Sequence, residues 1–401
     1  MVCLGEFLRT RPEEKCFPMT KNMAEVLACV AILMFLAPSG FAQQLEFQGQ
    51  LSGWAAASQA GSSNFQLGLR YIPTLSLTKS LADSSALDAE ISVDTYAAAM
   101  GPGMGHLGTS GKVSPYRMWL RFSTPQFEAR IGLQKISFGS AALLRPLMWF
   151  DGLDPNDPLQ LTTGVYGLLL RYTFLNNANV WAWGLYGNDD LKSWETTPTQ
   201  KKTPEYGGRL QFPLFKGEMA LSYHHRRIDP GRSLLPQGLL EPGPVPEDRF
   251  AVDGKWDVGV GLWVEGTLGR QDFKLFPLKY QKNLNLGLDY TFSIGNGLHI
   301  LGEHLSNQSS ADALTGGDTA EFSALSLDYP LGITDRIRGM AFYAWDTRDW
   351  YRFLTWQRVT DRWSFYIIGF WNPESYRIIA NQQGKSVFIG RGIEVMIVFN
   401  H

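Results

Sequence analysis

Tyr116-Arg-Met-Trp-Leu-Arg-Phe122, a break at Ser-Thr-Pro-Gln, then Phe127-Glu-Ala-Arg-Ile-Gly-Leu133: along this stretch the side chains change character at almost every step. Met118, Leu120 and Phe122 share one phase, and Arg117, Trp119 and Arg121 share the other. Successive Cβ atoms of an extended strand point to opposite faces, so a period of two predicts a strand with one apolar and one polar face. Two such runs joined through Thr124-Pro125 predict an antiparallel hairpin.

The same alternation recurs in Phe65–Tyr71, Tyr206–Phe212 and Leu284–Phe292. Counted this way, about 18 segments run from 45–57 to 388–399, with 16 as the alternative count. No stretch beyond residue 42 shows a helical period. Strands alone would also suit a soluble sandwich, but three features point to an all-β transmembrane antiparallel β-barrel. The segments reach the 9–11 residues that a tilted strand needs to cross a bilayer. They continue along the whole chain. The connections also alternate in length: short at 124–125, 175–178, 214–216, 294–296, 330–334 and 360–361, and long at 100–114, 138–163, 189–203, 228–248, 307–318 and 372–387. Short periplasmic turns opposite long outer loops are the pattern of outer-membrane barrels. Phe65, Leu67, Leu69, Met118, Leu120, Leu286 and Leu288 are then expected to face lipid. Tyr71, Tyr116, Phe122, Tyr172, Phe212, Tyr290 and Phe292 are expected in girdles near the strand ends.

Composition fits this division. Charged residues are only 18% and aromatics 13% of the 401 residues. The net charge of −2 gives no basic excess for binding nucleic acid. Cys3, Cys16 and Cys29 all precede residue 43, so the remainder holds neither a disulfide nor a thiolate metal site. Met19-Thr-Lys-Asn-Met, an apolar run over 24–36 and Pro38-Ser-Gly-Phe-Ala42 read as a basic, an apolar and a cleavage region. Residues 1–42 are therefore expected to be an upstream extension plus a secretory signal, and 43–401 the barrel.

The last segment, Ile393-Glu-Val-Met-Ile-Val-Phe399, resembles the terminal strand of Gram-negative outer-membrane barrels, which ends in an aromatic residue read by the barrel-assembly machinery. Here Asn400 and His401 follow it. Gly132-Leu-Gln134, with Phe138-Gly139 after it, is similar to a Gly-x-Gln…Gly pattern of porin-like and alginate-export barrels, with Leu133 where those more often carry Arg. The resemblance implies an outer-membrane channel for passive passage of small solutes, in contact with outer-membrane lipids and with no cofactor. It leaves assembly as a homo-oligomer open.

Two candidate regions follow. Arg70, Arg117, Arg121, Arg130, Arg171 and Arg209 fall on the inward phase and would line the pore. They either pair with acids such as Glu128, Glu205 and Glu218 to hold the barrel round, or form a guanidinium ladder that favours anions. The third long link carries Leu143, Leu144, Leu147, Met148, Trp149 and Phe150, with Arg145, Asp151, Asp154 and Asp157 among them. So apolar a loop is expected to fold inward and constrict the lumen, a partner-binding surface being the competing reading.

A rival chemistry rests on Glu303-His-Leu-Ser-Asn307, which resembles the His-x-Ser-Asn of outer-membrane phospholipase A and lipid A deacylase. The resemblance implies Ser306 as nucleophile, His304 as base and Asp318 as the residue that orients it. A structural or adhesive barrel is a third reading. His224-His225 is no metal site, because adjacent strand residues point apart.

Overall fold

The computed structural model describes residues 43–60, 64–81, 84–103, 105–152, 159–235, 241, 243–374 and 388–401. The expected leader over 1–42 lies outside them, as do Asp154 and Asp157. The first six strands are β1 (Gln43–Ser58), β2 (Phe65–Ser80), β3 (Ala86–Gly101), β4 (Gly108–Ser123), β5 (Phe127–Gln134) and β6 (Val165–Thr173). The next six are β7 (Asn179–Tyr186), β8 (Pro204–Leu214), β9 (Gly217–Ile228), β10 (Val245–Asp257), β11 (Gly261–Gln271) and β12 (Tyr280–Phe292). The circle is completed by β13 (Leu298–Ser310), β14 (Asp318–Pro330), β15 (Asp335–Ala344), β16 (Asp349–Val359), β17 (Trp363–Trp371) and β18 (Arg391–Asn400).

Each strand pairs antiparallel with its sequence neighbours, and β1 pairs with both β2 and β18, so the sheet closes on itself. The count is 18, not 16. Closure matters because a sheet edge left in lipid would carry unpaired N–H and C=O groups. At the seam, Leu51 lies opposite Phe399, and beyond it Gly49 and His401 exchange both backbone hydrogen bonds at 3.0 Å. The His401 ring stacks on Tyr71 and Phe399 and meets Phe47 at a tilt, all within 6.1 Å, and its Nε2 lies 3.1 Å from Tyr71 Oη. The two residues after Phe399 therefore extend the seam ladder and its aromatic patch.

One expected loop is mostly strand. Gly108–Ser114 pairs with Asp94–Met100, leaving only 102–107 as connection where 100–114 was expected. Gly-Thr-Ser-Gly-Lys-Val-Ser has no apolar face to alternate, yet its backbone still completes the ladder. Between Ser92 and Val93 the register slips against Arg117 and Pro115, leaving Tyr116 unpaired. A bulge suits this position, since Pro115 brings no N–H to the ladder.

The outward phase forms an apolar belt. Leu221, Phe250, Leu286 and Val395 are each about half exposed (51, 50, 51 and 50%). Such a belt is stable only against lipid, which places the barrel in a membrane. The inward phase is not uniformly polar. From β13 to β18 it carries Leu305, Phe342, Tyr351, Phe353, Ile368 and Phe370, all buried. Leu143, Leu144, Leu159, Trp194 and Phe388, from segments between strands, pack against them. About a third of the inner wall, six of the 18 strands, thus faces a hydrophobic core rather than water.

Candidate functional site

The third outer loop, residues 135–164, leaves the wall at the end of β5. Gln134, fully buried, donates its Nε2 to the carbonyls of Arg130 (3.1 Å) and Gly167 (2.9 Å) and holds β5 to β6 where the chain departs. Gly132 has φ +121°, and a Cβ there would collide with the backbone of Met118, so the glycine of the Gly-x-Gln pattern is sterically required.

From there the loop crosses the lumen. Ser140 and Ala141 donate their backbone N–H to Glu265 Oε1 on β11, the second at 2.7 Å. Ala142 donates to Glu303 Oε1 on β13 at 2.6 Å, and Leu143 and Leu144 donate to Oε2 at 3.1 and 2.6 Å. Asn285 Nδ2 donates to the Leu144 carbonyl at 2.9 Å. Five consecutive N–H groups thus rest on two carboxylates, and β13 is eight strands from β5 around the ring of 18. Gly139, at φ +92°, lets the backbone turn against Glu265, where a side chain would clash with the carboxylate. Neither acid was singled out from the sequence as an anchor. The available signal was phase: Glu265 and Glu303 alternate with outward Val264 and His304.

The apolar part of the loop is buried inside, with Leu144 and Leu147 at 1 and 2% exposure. Ile136, Phe138, Leu147, Trp149 and Phe150 pack on the inward Leu169, Trp183 and Leu185. Asp151 accepts the N–H of Gly164 at 2.7 Å and closes the loop on itself. Burial pushes its carboxyl above the usual range, against the pull of that N–H and of Lys192 and Arg117. Arg145 donates to Ser137 Oγ at 3.0 Å, and its carbonyl accepts from Trp194 Nε1 at 3.0 Å. Trp194 belongs to the fourth outer loop (187–203), which braces the third. That brace is fixed by a buried network: Glu195 contacts Arg226 at 2.8 Å and Arg249 at 2.9 Å, and both arginines also contact Glu247. His224 stands in the same layer, its Nδ1 accepting a hydrogen bond from Trp183 Nε1–H at 3.1 Å and its Nε2 facing Glu205 at 3.3 Å. Its neighbour His225 points the other way, to Asp248.

All six arginines point inward, but in two different settings. Arg117 and Arg209 are only 7 and 5% exposed. Arg117 clamps Thr162, with its Nη2 3.1 Å from the carbonyl and 2.5 Å from Oγ1, and Arg209 holds both oxygens of Asp253 at 2.6 and 2.7 Å beneath Phe138. These two fasten the loop and the wall. Arg70, Arg121, Arg130 and Arg171 keep part of their surface open. Arg70 pairs with Asp94 at 3.2 Å. Near the short-turn end, Arg121 takes Asp88 at 2.8 Å, while Arg130 and Arg171 share Glu128 at 2.8 and 3.9 Å. Arg130 and Arg171 also lie over Trp119 and Trp181, at 4.9 and 4.1 Å. Three guanidinium groups there face the paired carboxylates of Asp88 and Glu128, and the Glu90 carboxylate on β3 also acts on Arg130.

The hydrolase residues do not form a triad. His304 and Ser306 lie on the lipid-facing phase, but His304 Nδ1 is 3.0 Å from Ser323 Oγ on β14, directly across the ladder. Asp318 pairs with Ser309 and lies on the opposite phase, so it cannot orient His304.

No family model matches the chain, and no curated protein matches it by sequence. Solved structures do match in fold. OccAB4 of Acinetobacter baumannii superposes with a TM-score of 0.56 at 8% identity, covering 91% of this chain and 100% of that one. OccAB1 of the same organism gives 0.53 at 10% identity, with 89 and 95% covered. The Vibrio cholerae outer-membrane protein OmpT, in a trimer form, gives 0.50 at 12% identity, with 90 and 100% covered. The chain has the fold of the outer-membrane porins, a closed 18-strand barrel.

Proposed function

We propose that this protein is an outer-membrane channel for passive passage of small solutes, narrowed at mid-height by its third outer loop. The observation that carries the reading is the loop's attachment to the far wall through Glu265 and Glu303. The tether draws the loop from β5 to β11 and β13, so that it lies across the path through the barrel. Arg121, Arg130 and Arg171 stand below the loop, at the periplasmic end by the short-turn rule. Together with Arg117, their four positive charges outnumber Asp88, Glu90 and Glu128 and make that end locally attractive to anions. The trimer form of the Vibrio cholerae protein supports a homo-oligomeric assembly here as well.

Channel function fits better than lipid hydrolysis, because the proposed nucleophile lacks its base and its orienting acid. The apolar packing under β13 to β18 favours, as the second reading, a sealed structural barrel. Single-channel recording of the protein purified from outer membranes separates the two. Discrete conductance steps that grow on deletion of Leu143 to Phe150 are expected. A folded, heat-modifiable barrel that never conducts would mean a structural role.

A further inference from the structure

A pocket opens on the inner wall at the periplasmic end of β13 to β15, lined in part by Thr291, Asn296, His299, Asp328, Arg336 and Arg338. Arg336 and Arg338 share the phase of the buried Met340 and therefore face the lumen. Both lean on a single carboxylate: Arg336 Nε lies 3.2 Å from Asp328 Oδ1 and Arg338 Nε 2.8 Å from Oδ2. Each arginine thus meets Asp328 through Nε, and among the described residues neither has its Nη groups on a protein acceptor. Asp328 is largely covered, at 13% side-chain exposure, whereas Arg336 and Arg338 stay open at 48 and 38%. The acid is spent inward and the guanidinium forks are turned to water. The second acid nearby, Asp289, is engaged by His299 at 3.3 Å.

Resting on the channel reading, we infer that this pocket is an oxyanion-binding station at the periplasmic mouth. Its ligand class is a small solute whose phosphate, sulfate or carboxylate group offers two oxygens to one guanidinium. That geometry is what a free Nη pair selects, because two parallel N–H donors match two oxygens, whereas a halide offers both donors a single acceptor. Two positive forks share one acid, so binding an anion completes the local charge balance. The pocket also lies across the barrel from Arg121, Arg130 and Arg171, since β15 is eight strands from β5 around the ring. An oxyanion passing below the constriction would meet cations on two opposed walls.

The test uses the full-length protein inserted in one orientation in a planar bilayer carrying chloride current. Inorganic phosphate added to the periplasmic side should interrupt that current at concentrations at which added chloride does not. In the Arg336→Gln/Arg338→Gln double variant, loss of two bidentate charged contacts should raise the half-blocking concentration by about tenfold or more. Asp328→Asn should move it in the opposite direction, because the competing acid is gone while both forks remain. Heat-modifiability checks that each variant is folded. A conducting channel with no side-specific phosphate block overturns this inference and leaves the channel reading standing. So does a block unchanged in the double variant or weakened in Asp328→Asn. Absence of any conductance overturns the channel reading on which it rests.

Discussion

Glu303→Ala should release the constriction while leaving the barrel intact. The Glu303 carboxylate accepts three backbone N–H groups of the third loop at 2.6, 3.1 and 2.6 Å. Hydrogen bonds to a charged group contribute about 1.5–3 kcal/mol each, and an orphaned buried donor costs a comparable amount. Against this, the alanine removes a buried charge whose desolvation was itself unfavourable. Taking the low end for three coupled bonds, the folded-in loop loses roughly 3–4 kcal/mol, a shift of about a hundred- to a thousandfold in its population. Glu265, Arg117 and the packing around Phe138 still hold both flanks, so residues 142–146 should fluctuate rather than leave. Single-channel traces are expected to show larger openings with flicker, and limited proteolysis should cut near Leu143. Glu303→Gln, which keeps a neutral acceptor, should fall between. If Glu303→Ala folds normally and keeps wild-type conductance, noise and protease resistance, the three N–H contacts to Glu303 do not position the loop.

Replacing Arg121 and Arg130 with Gln changes the local count around Asp88 and Glu128 from three cations to one. The reversal potential in a salt gradient should move toward cation preference, most strongly at low salt where screening over about 10 Å at 0.1 M is relaxed. A wild-type channel that is already cation-selective would show that the acids dominate. Ser306→Ala and His304→Ala should leave phospholipid and lipid A untouched, as they are expected to be in the wild type. A deacylase activity abolished by either change would restore the hydrolase reading.

How much of this was legible in the sequence depends on where each residue's constraint comes from. The strands were legible because lipid outside forces an apolar phase: Leu286 and Leu288 alternate with Asn285 and Gly287 whatever the rest of the chain does. The third loop was legible for a related reason, since Leu144, Leu147 and Phe150 could not remain in water. Gly108–Ser114 was missed because, without an apolar face, its pairing with β3 leaves no periodic trace. The difference between Arg117 and Arg121 was invisible too. Both sit on the inward phase of one strand four residues apart, and only the return of Thr162 from a distant part of the chain covers the first and leaves the second open.

The inner surface of a wide barrel explains most of what remained hidden. Outward residues meet one solvent, lipid, so their chemistry is set strand by strand. Inward residues meet water, another wall's ion pair or an inserted loop, depending on contacts that span the circle. Phe342, Phe353 and Phe370 are apolar because Leu144 and Phe388 reach them, and Glu265 and Glu303 are acidic because Ser140–Leu144 need acceptors. Neither fact has a local cause. The same logic marks Arg336 and Arg338: every other inward arginine discussed is tied to the loops, stacked on an aromatic ring or matched to its own acid. These two share one covered carboxylate with their forks open, which no packing requirement in the barrel explains.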